Sequence, residues 1–192
     1  MFRIKIVILL FLLFFIADAS FGKNITKGTV ILRGESNLDI GMSERKIENS
    51  DESDETKIEL DFTAGYFFEE NIAIGVNMYY QMADDDDIEE TMYGLAPTIL
   101  ITIPIEEKMN LAVSGAIGYL SGTVDYGSAG EIDMDGFMIG ARVGLQYFII
   151  DSVSLDSFLS YSKIDMELKS GREVDMDGDD LGINLGFSIY FY

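Results

Sequence analysis

An eight-stranded antiparallel up-and-down transmembrane β-barrel is the fold class this sequence predicts, and three observations predict it. Apolar residues recur with period two over eight separate segments. The connections between those segments alternate in length, and acid concentrates in the long ones. Beyond the N-terminal leader, no stretch is long and apolar enough for a transmembrane helix, so any membrane crossing falls to strands.

The leader is "MFRIKIVILLFLLFFIADAS". Arg3 and Lys5 form a basic start, and the apolar run Ile6–Ala17 falls short of the about 20 residues a bilayer helix needs. Ala17-Asp18-Ala19 supplies an A-x-A cleavage pattern. Residues 1–19 are therefore read as a secretory signal peptide, with 22 as the second candidate end, and 20–192 as one β-barrel domain.

The segments are approximately 28–42, 56–68, 72–82, 91–105, 110–124, 136–150, 153–164 and 181–191. The first places Arg33, Glu35 and Asp39 on one row. In the second, Ile58, Leu60, Phe62, Ala64, Tyr66 and Phe68 alternate with Lys57, Glu59, Asp61, Thr63, Gly65 and Phe67. The third, "IAIGVNMYYQM", sets Ile72, Ile74, Val76, Met78, Tyr80 and Met82 against Ala73, Gly75, Asn77, Tyr79 and Gln81. The fourth contains Pro97, which lacks the donor a closed sheet requires; a bulge near the rim, or a strand starting at Thr98, would accommodate it. The fifth carries Tyr119 on its apolar row. The sixth alternates Phe137, Ile139, Ala141, Val143, Leu145, Tyr147 and Ile149 with Gly136, Met138, Gly140, Arg142, Gly144, Gln146 and Phe148. In the seventh, Tyr161 and Asp156 fall on opposite rows. The eighth runs Leu181, Ile183, Leu185, Phe187, Ile189 and Phe191, leaving Tyr192 off phase.

Short connections ("EEN", "EEKM", "DS") follow the second, fourth and sixth segments. Those after the odd segments ("SERKIENSDESDE", "ADDDDIEE", "VDYGSAGEIDMD", "DMELKSGREVDMDGDD") hold about two thirds of the acidic residues. Long loops at one end and tight turns at the other are the pattern of membrane barrels.

A soluble barrel is the competing arrangement. Eight strands enclose a space just wide enough for side chains or one small ligand. Turning the large apolar rows inward would overfill it, so they face lipid. Aromatic residues agree: Tyr80, Tyr93, Tyr119, Phe137 and Tyr161 gather at the long-loop ends, and Tyr66, Phe68, Tyr147 and Phe191 at the short-turn ends. Phe137 to Tyr147, at about 3.3 Å per residue and a tilt near 40°, spans roughly 25 Å, the height of an apolar membrane band.

By this topology and by the closing strand "LGINLGFSIYFY", the chain resembles the small eight-stranded outer-membrane barrels of the OmpX, Ail and OmpA-barrel kind. The resemblance covers the whole mature chain. It implies the outer membrane of a Gram-negative-type bacterium, and insertion by the barrel-assembly machinery. Its implied partners are outer-membrane lipid and lipopolysaccharide, and a surface ligand or host factor that the sequence does not name. The implied state is monomeric.

The remaining features bound function. A net charge of −21 excludes nucleic acid as a partner. Without histidine, the residue most used as general base is missing, and no cofactor is implied. "EIDMDG" at Glu131–Gly136 and "EVDMDG" at Glu173–Gly178 look like the start of calcium loops. Position 12 would then be Arg142 or Asn184, not the required Glu, so the twins are read as solvated loop acid leading into strands. "DDDDIEE" at Asp84–Glu90 is likewise a solvated face with at most loose divalent binding. A carboxylate pair such as Asp61 and Asp156 is the one acid–base candidate. Inward placement instead makes Arg33, Glu35, Asp39, Lys57, Glu59, Asp61, Arg142 and Asp156 a barrel-interior charge network, with Gly140 and Gly144 clearing room for Arg142. The expected function is a non-enzymatic integral membrane protein with a structural or surface-interaction role; a narrow pore and a secreted ligand-binding barrel are the alternatives.

Overall fold

The computed structural model describes residues 23–38, 56–85, 88–127, 130–170 and 172–192. Eight strands follow one another: β1 (Val30–Leu38), β2 (Thr56–Glu69), β3 (Ile72–Asp85), β4 (Ile88–Glu106), β5 (Met109–Asp125), β6 (Glu131–Ile150), β7 (Val153–Ser170) and β8 (Arg172–Phe191). Each pairs antiparallel with its sequence neighbour, and β1 pairs with β8, so the sheet closes into a barrel. Closure is what lipid demands, since an open edge would leave backbone groups unpaired where no water can reach them. The leader, and Asp39 and Lys46 of the first long connection, lie outside the described residues.

The rows face as their chemistry requires. Along β3, Ala73, Asn77 and Gln81 are buried in the lumen, while Ile74, Val76, Met78 and Tyr80 are exposed on the outside. On β2, Asp61, Thr63 and Phe67 turn inward, and Leu60, Phe62, Tyr66 and Phe68 outward. The outward rows form the lipid-facing band. At its upper edge the register sets Tyr80 opposite Tyr93 and Tyr119 opposite Phe137. The Tyr119 and Phe137 rings meet edge-on at 5.6 Å.

Tight turns join β2–β3, β4–β5 and β6–β7, and a register shift next to each one re-aims the strand end. Asn71 takes φ 61° in the first turn, a left-handed conformation that Asn tolerates better than most residues.

At the opposite end the structure departs from expectation. The acidic hexapeptides are strand, not loop. Glu131–Gly136 opens β6 and pairs with Asp125–Leu120 of β5; Glu173–Gly178 lies within β8, opposite Lys169–Ile164 of β7. Consequently β6 rises six residues above Phe137, about 15 Å beyond the band at roughly 3.3 Å per residue and 40° tilt. In this stretch the polarity of the wall inverts. Glu131, Asp133, Asp165 and Glu167 are exposed outside, while Met134 and Met166 are buried inside. The alternation E-x-D-x-D is that of a strand leaving lipid for water: acid faces solvent, and the apolar row must turn inward.

Pro97 also differs from expectation. It sits within β4 with no register shift around it. Instead the β4–β5 ladder skips Ala96 and Pro97, the pairs that need an N–H from residue 97 toward β5. The sheet accepts a missing hydrogen bond and keeps its register, because a one-residue bulge would swap the lipid and lumen faces of everything beyond it.

Candidate functional site

The lumen is built in layers. Its short-turn end is an apolar plug of Ile25, Ile31, Phe67, Ala73, Leu100, Ala112, Phe148, Phe158 and Tyr190. The segment before β1 folds up into this end. Ile25 N donates to Asn71 Oδ1 at 2.8 Å, Asn71 N donates to the Ile25 carbonyl at 2.9 Å, and Asn110 Nδ2 donates to the Lys23 carbonyl at 3.0 Å. Lys23 Nζ pairs with Asp151 Oδ1 at 3.1 Å and lies 5.1 Å from the Phe148 and Tyr192 ring centroids. The off-phase Tyr192 donates its hydroxyl to the Asp151 carbonyl at 3.0 Å. N-terminal segment, β6–β7 turn and C-terminus are thereby clasped together.

Above the plug lies a layer of charge. The register places Glu35 directly opposite Asp61, a juxtaposition that repels unless something bridges it. Arg142 bridges it. From β6 its guanidinium reaches across the lumen, with Nη1 donating to Glu35 Oε2 at 2.8 Å and Nη2 to Asp61 Oδ2. Arg33 pairs separately with Asp156 at 3.2 Å and Glu35 at 3.5 Å, donates Nε to Ser188 Oγ at 3.0 Å, and lies 4.7 Å from the Phe158 ring centroid. Asn77 donates to Asp61, and Ser154 and Ser188 donate to Asp156.

Arg33, Glu35, Asp61, Arg142 and Asp156 thus stand together. Glu59 lines the cavity next to them. Lys57 occupies its position on β2 opposite Ala83, with its side chain outside the described part, as is Asp39. One expected reason fails. A Cβ at Gly144 would lie 2.0 Å from the Ser157 carbonyl oxygen and 2.8 Å from Phe158 Cδ1, so that glycine admits Phe158 and its strand, not Arg142; at Gly140 a Cβ would meet only ordinary contacts. Gly186 is the glycine this layer needs, because it sits between Glu35 and Asp156 across the strands and a Cβ there would lie 2.9 Å from Glu35 Cγ.

Next comes a cavity of about 70 Å³ with walls of mixed polarity, lined among others by Arg142, Asp61, Tyr79, Asn184, Leu100 and Met138. A second apolar cluster, Met92, Leu120, Val124, Met134 and Met166, with Tyr79, Met138 and Ile164 against it, closes the outer end on the β4–β7 side. Reading the rows as lipid-facing or lumen-facing missed both plugs. The inward Met and Leu positions of the strand extensions were visible, but only once the acid between them is recognised as strand. Among the described residues no cluster of His, Cys, Asp and Glu fits a metal ion. Asp61 and Asp156 are each engaged by a guanidinium and by neutral donors, which together fix where the two side chains lie.

By sequence, residues 7–191 match the model of the outer membrane protein beta-barrel domain. No curated protein matches the chain. Among solved structures, Neisserial surface protein A (NspA) is similar at 10% identity and TM-score 0.59, over 88% of this chain and 99% of that one. OprG from Pseudomonas aeruginosa follows at 13% identity and TM-score 0.55, over 91% and 100%. The N-terminal barrel of Pseudomonas aeruginosa OprF is similar at 12% identity and TM-score 0.54, over 87% and 100%. At such identities the likeness is one of fold.

Proposed function

We propose, for a chain that belongs to the outer membrane protein beta-barrel domain family, a non-enzymatic role as a monomeric barrel that carries an acidic, strand-built surface above the lipid and presents it outside the cell. On this reading the leader directs export in a Gram-negative-type bacterium, and the barrel-insertion machinery recognises the final strand. Lipid and lipopolysaccharide surround the band, and a surface ligand or host factor meets the raised rim.

The observation that carries this reading is the inversion of wall polarity above Phe137, which builds β5–β7 into a water-facing structure. A barrel serving only as a membrane filler has no need of it. The apolar plugs and ion-paired charge layer speak against a narrow pore, and the outward apolar rows against a secreted soluble barrel. Engagement of Asp61 and Asp156 by arginine speaks against acid–base catalysis.

The chain has no cysteine, so single-cysteine variants report cleanly. On intact cells a membrane-impermeant maleimide should label Asp133→Cys and leave Lys108→Cys unlabelled until the outer membrane is opened. The reverse pattern would invert the topology and end the proposal. Steady single-channel conductance in planar bilayers would restore the pore.

A further inference from the structure

The outer plug differs from the lower one in what fills it. Aromatic rings dominate the lower; three methionines, Met92, Met134 and Met166, dominate the upper, each at most 6% exposed. Leucine or isoleucine would seal a lumen as well and with better-defined rotamers, whereas methionine brings flexibility and a polarisable sulfur. We propose that this end of the lumen is a thioether site for a soft monovalent cation of the Cu(I) or Ag(I) class, held by Met92, Met134 and Met166 with Met138 at its edge.

The backbone is arranged to let these side chains converge. The register runs Met92 to Gly122 to Met134 across β4, β5 and β6. A Cβ at Gly122 would lie 2.9 Å from Met92 Cγ, so Met92 leans over the bare glycine toward the strand of Met134. On the next pair of strands, a Cβ at Gly136 would lie 2.5 Å from Met166 Sδ, so that sulfur sits over Gly136, two positions along the inward row from Met134. Two glycines therefore make room for the Met92 and Met166 side chains inside one packed apolar cluster that also holds Met134.

Chemistry selects the ion. Neutral thioethers prefer soft cations such as Cu(I), and they offer nothing to Ca²⁺ or Mg²⁺, which need oxygen. A singly charged ion is also the cheapest to take into an apolar sheath. Outside the same wall, Glu131, Asp133, Asp135 and Asp165 create a negative potential that raises the local concentration of cations. With no Cys or His in the chain, thioethers are its soft donors.

The test uses the mature full-length chain in detergent and chloride-free buffer, with Ag(I) as a redox-inert probe. Calorimetry should show saturable, equimolar Ag(I) binding by the parent chain. The variant Met134→Leu/Met166→Leu nearly conserves volume; it should keep heat-modifiable mobility and lose that binding. Absence of saturable binding in the parent, or unchanged binding in the variant, overturns the proposal. If the double variant does not fold, X-ray absorption of the Cu(I)-loaded parent decides. Sulfur-only scattering supports the site, and oxygen ligands place the ion on the acidic exterior and overturn it.

Discussion

Replacing Arg142 by methionine strips away the guanidinium that spans Glu35 and Asp61 while keeping much of the side-chain volume. The two carboxylates would then face each other from directly opposite positions with side chains only 1% and 5% exposed. At a separation of about 5 Å and an effective dielectric near 20, their repulsion is about 3 kcal/mol. A loss of about 3 kcal/mol is therefore expected, within the usual range for breaking a buried pair. The assay is urea unfolding in detergent micelles, followed by tyrosine fluorescence and by gel mobility, with Arg172→Met as the comparison. Arg172 ends the β7–β8 hairpin far from this layer, and its substitution should change little. If the two substitutions prove equal, the charge layer does not work as described.

Asn71→Ala should loosen the N-terminal segment. It removes the acceptor of the Ile25 amide and puts alanine at φ 61°, a combined cost of about 2 kcal/mol, so trypsin should reach Lys23 and Lys27 faster; Asn71→Gly keeps the backbone free and should lose less. Gly186→Ala forces a Cβ to within 2.3 Å of the Gly34 carbonyl oxygen, so its folded yield in detergent should fall well below that of Gly140→Ala, where the added atom meets contacts of 3.7 Å and longer. Pro97→Val returns the missing donor toward β5 and should raise stability by about 1 kcal/mol, measured by the same urea titration. A loss of stability there would mean that the skipped pairs have another origin.

What the amino-acid order determined by itself is periodic. Rows such as Ile74-Val76-Met78-Tyr80 against Ala73-Gly75-Asn77-Tyr79 specify strand, face and lipid exposure at once, because the side-chain period of a strand is two and lipid accepts only the apolar row. The same parity turned Arg33, Glu35, Asp61, Arg142 and Asp156 toward one space. Which acid meets which base was not legible: β1 lies across the lumen from β6, and only closure of the ring brings Arg142 to Glu35 and Asp61 while leaving Asp156 to Arg33. The lumen plugs were hidden for a related reason. Phe158, Tyr190 and Met134 are single inward residues on separate strands, and their layers exist only where the tilted strands align them. The acidic twins misled because composition suggested loop, while the alternation inside them was that of a strand crossing from lipid to water. Tertiary pairing with β5 and β7 supplies the hydrogen bonds that make them strand, and in the first an apolar interior to bury turns Met134 in while Glu131 and Asp133 face out.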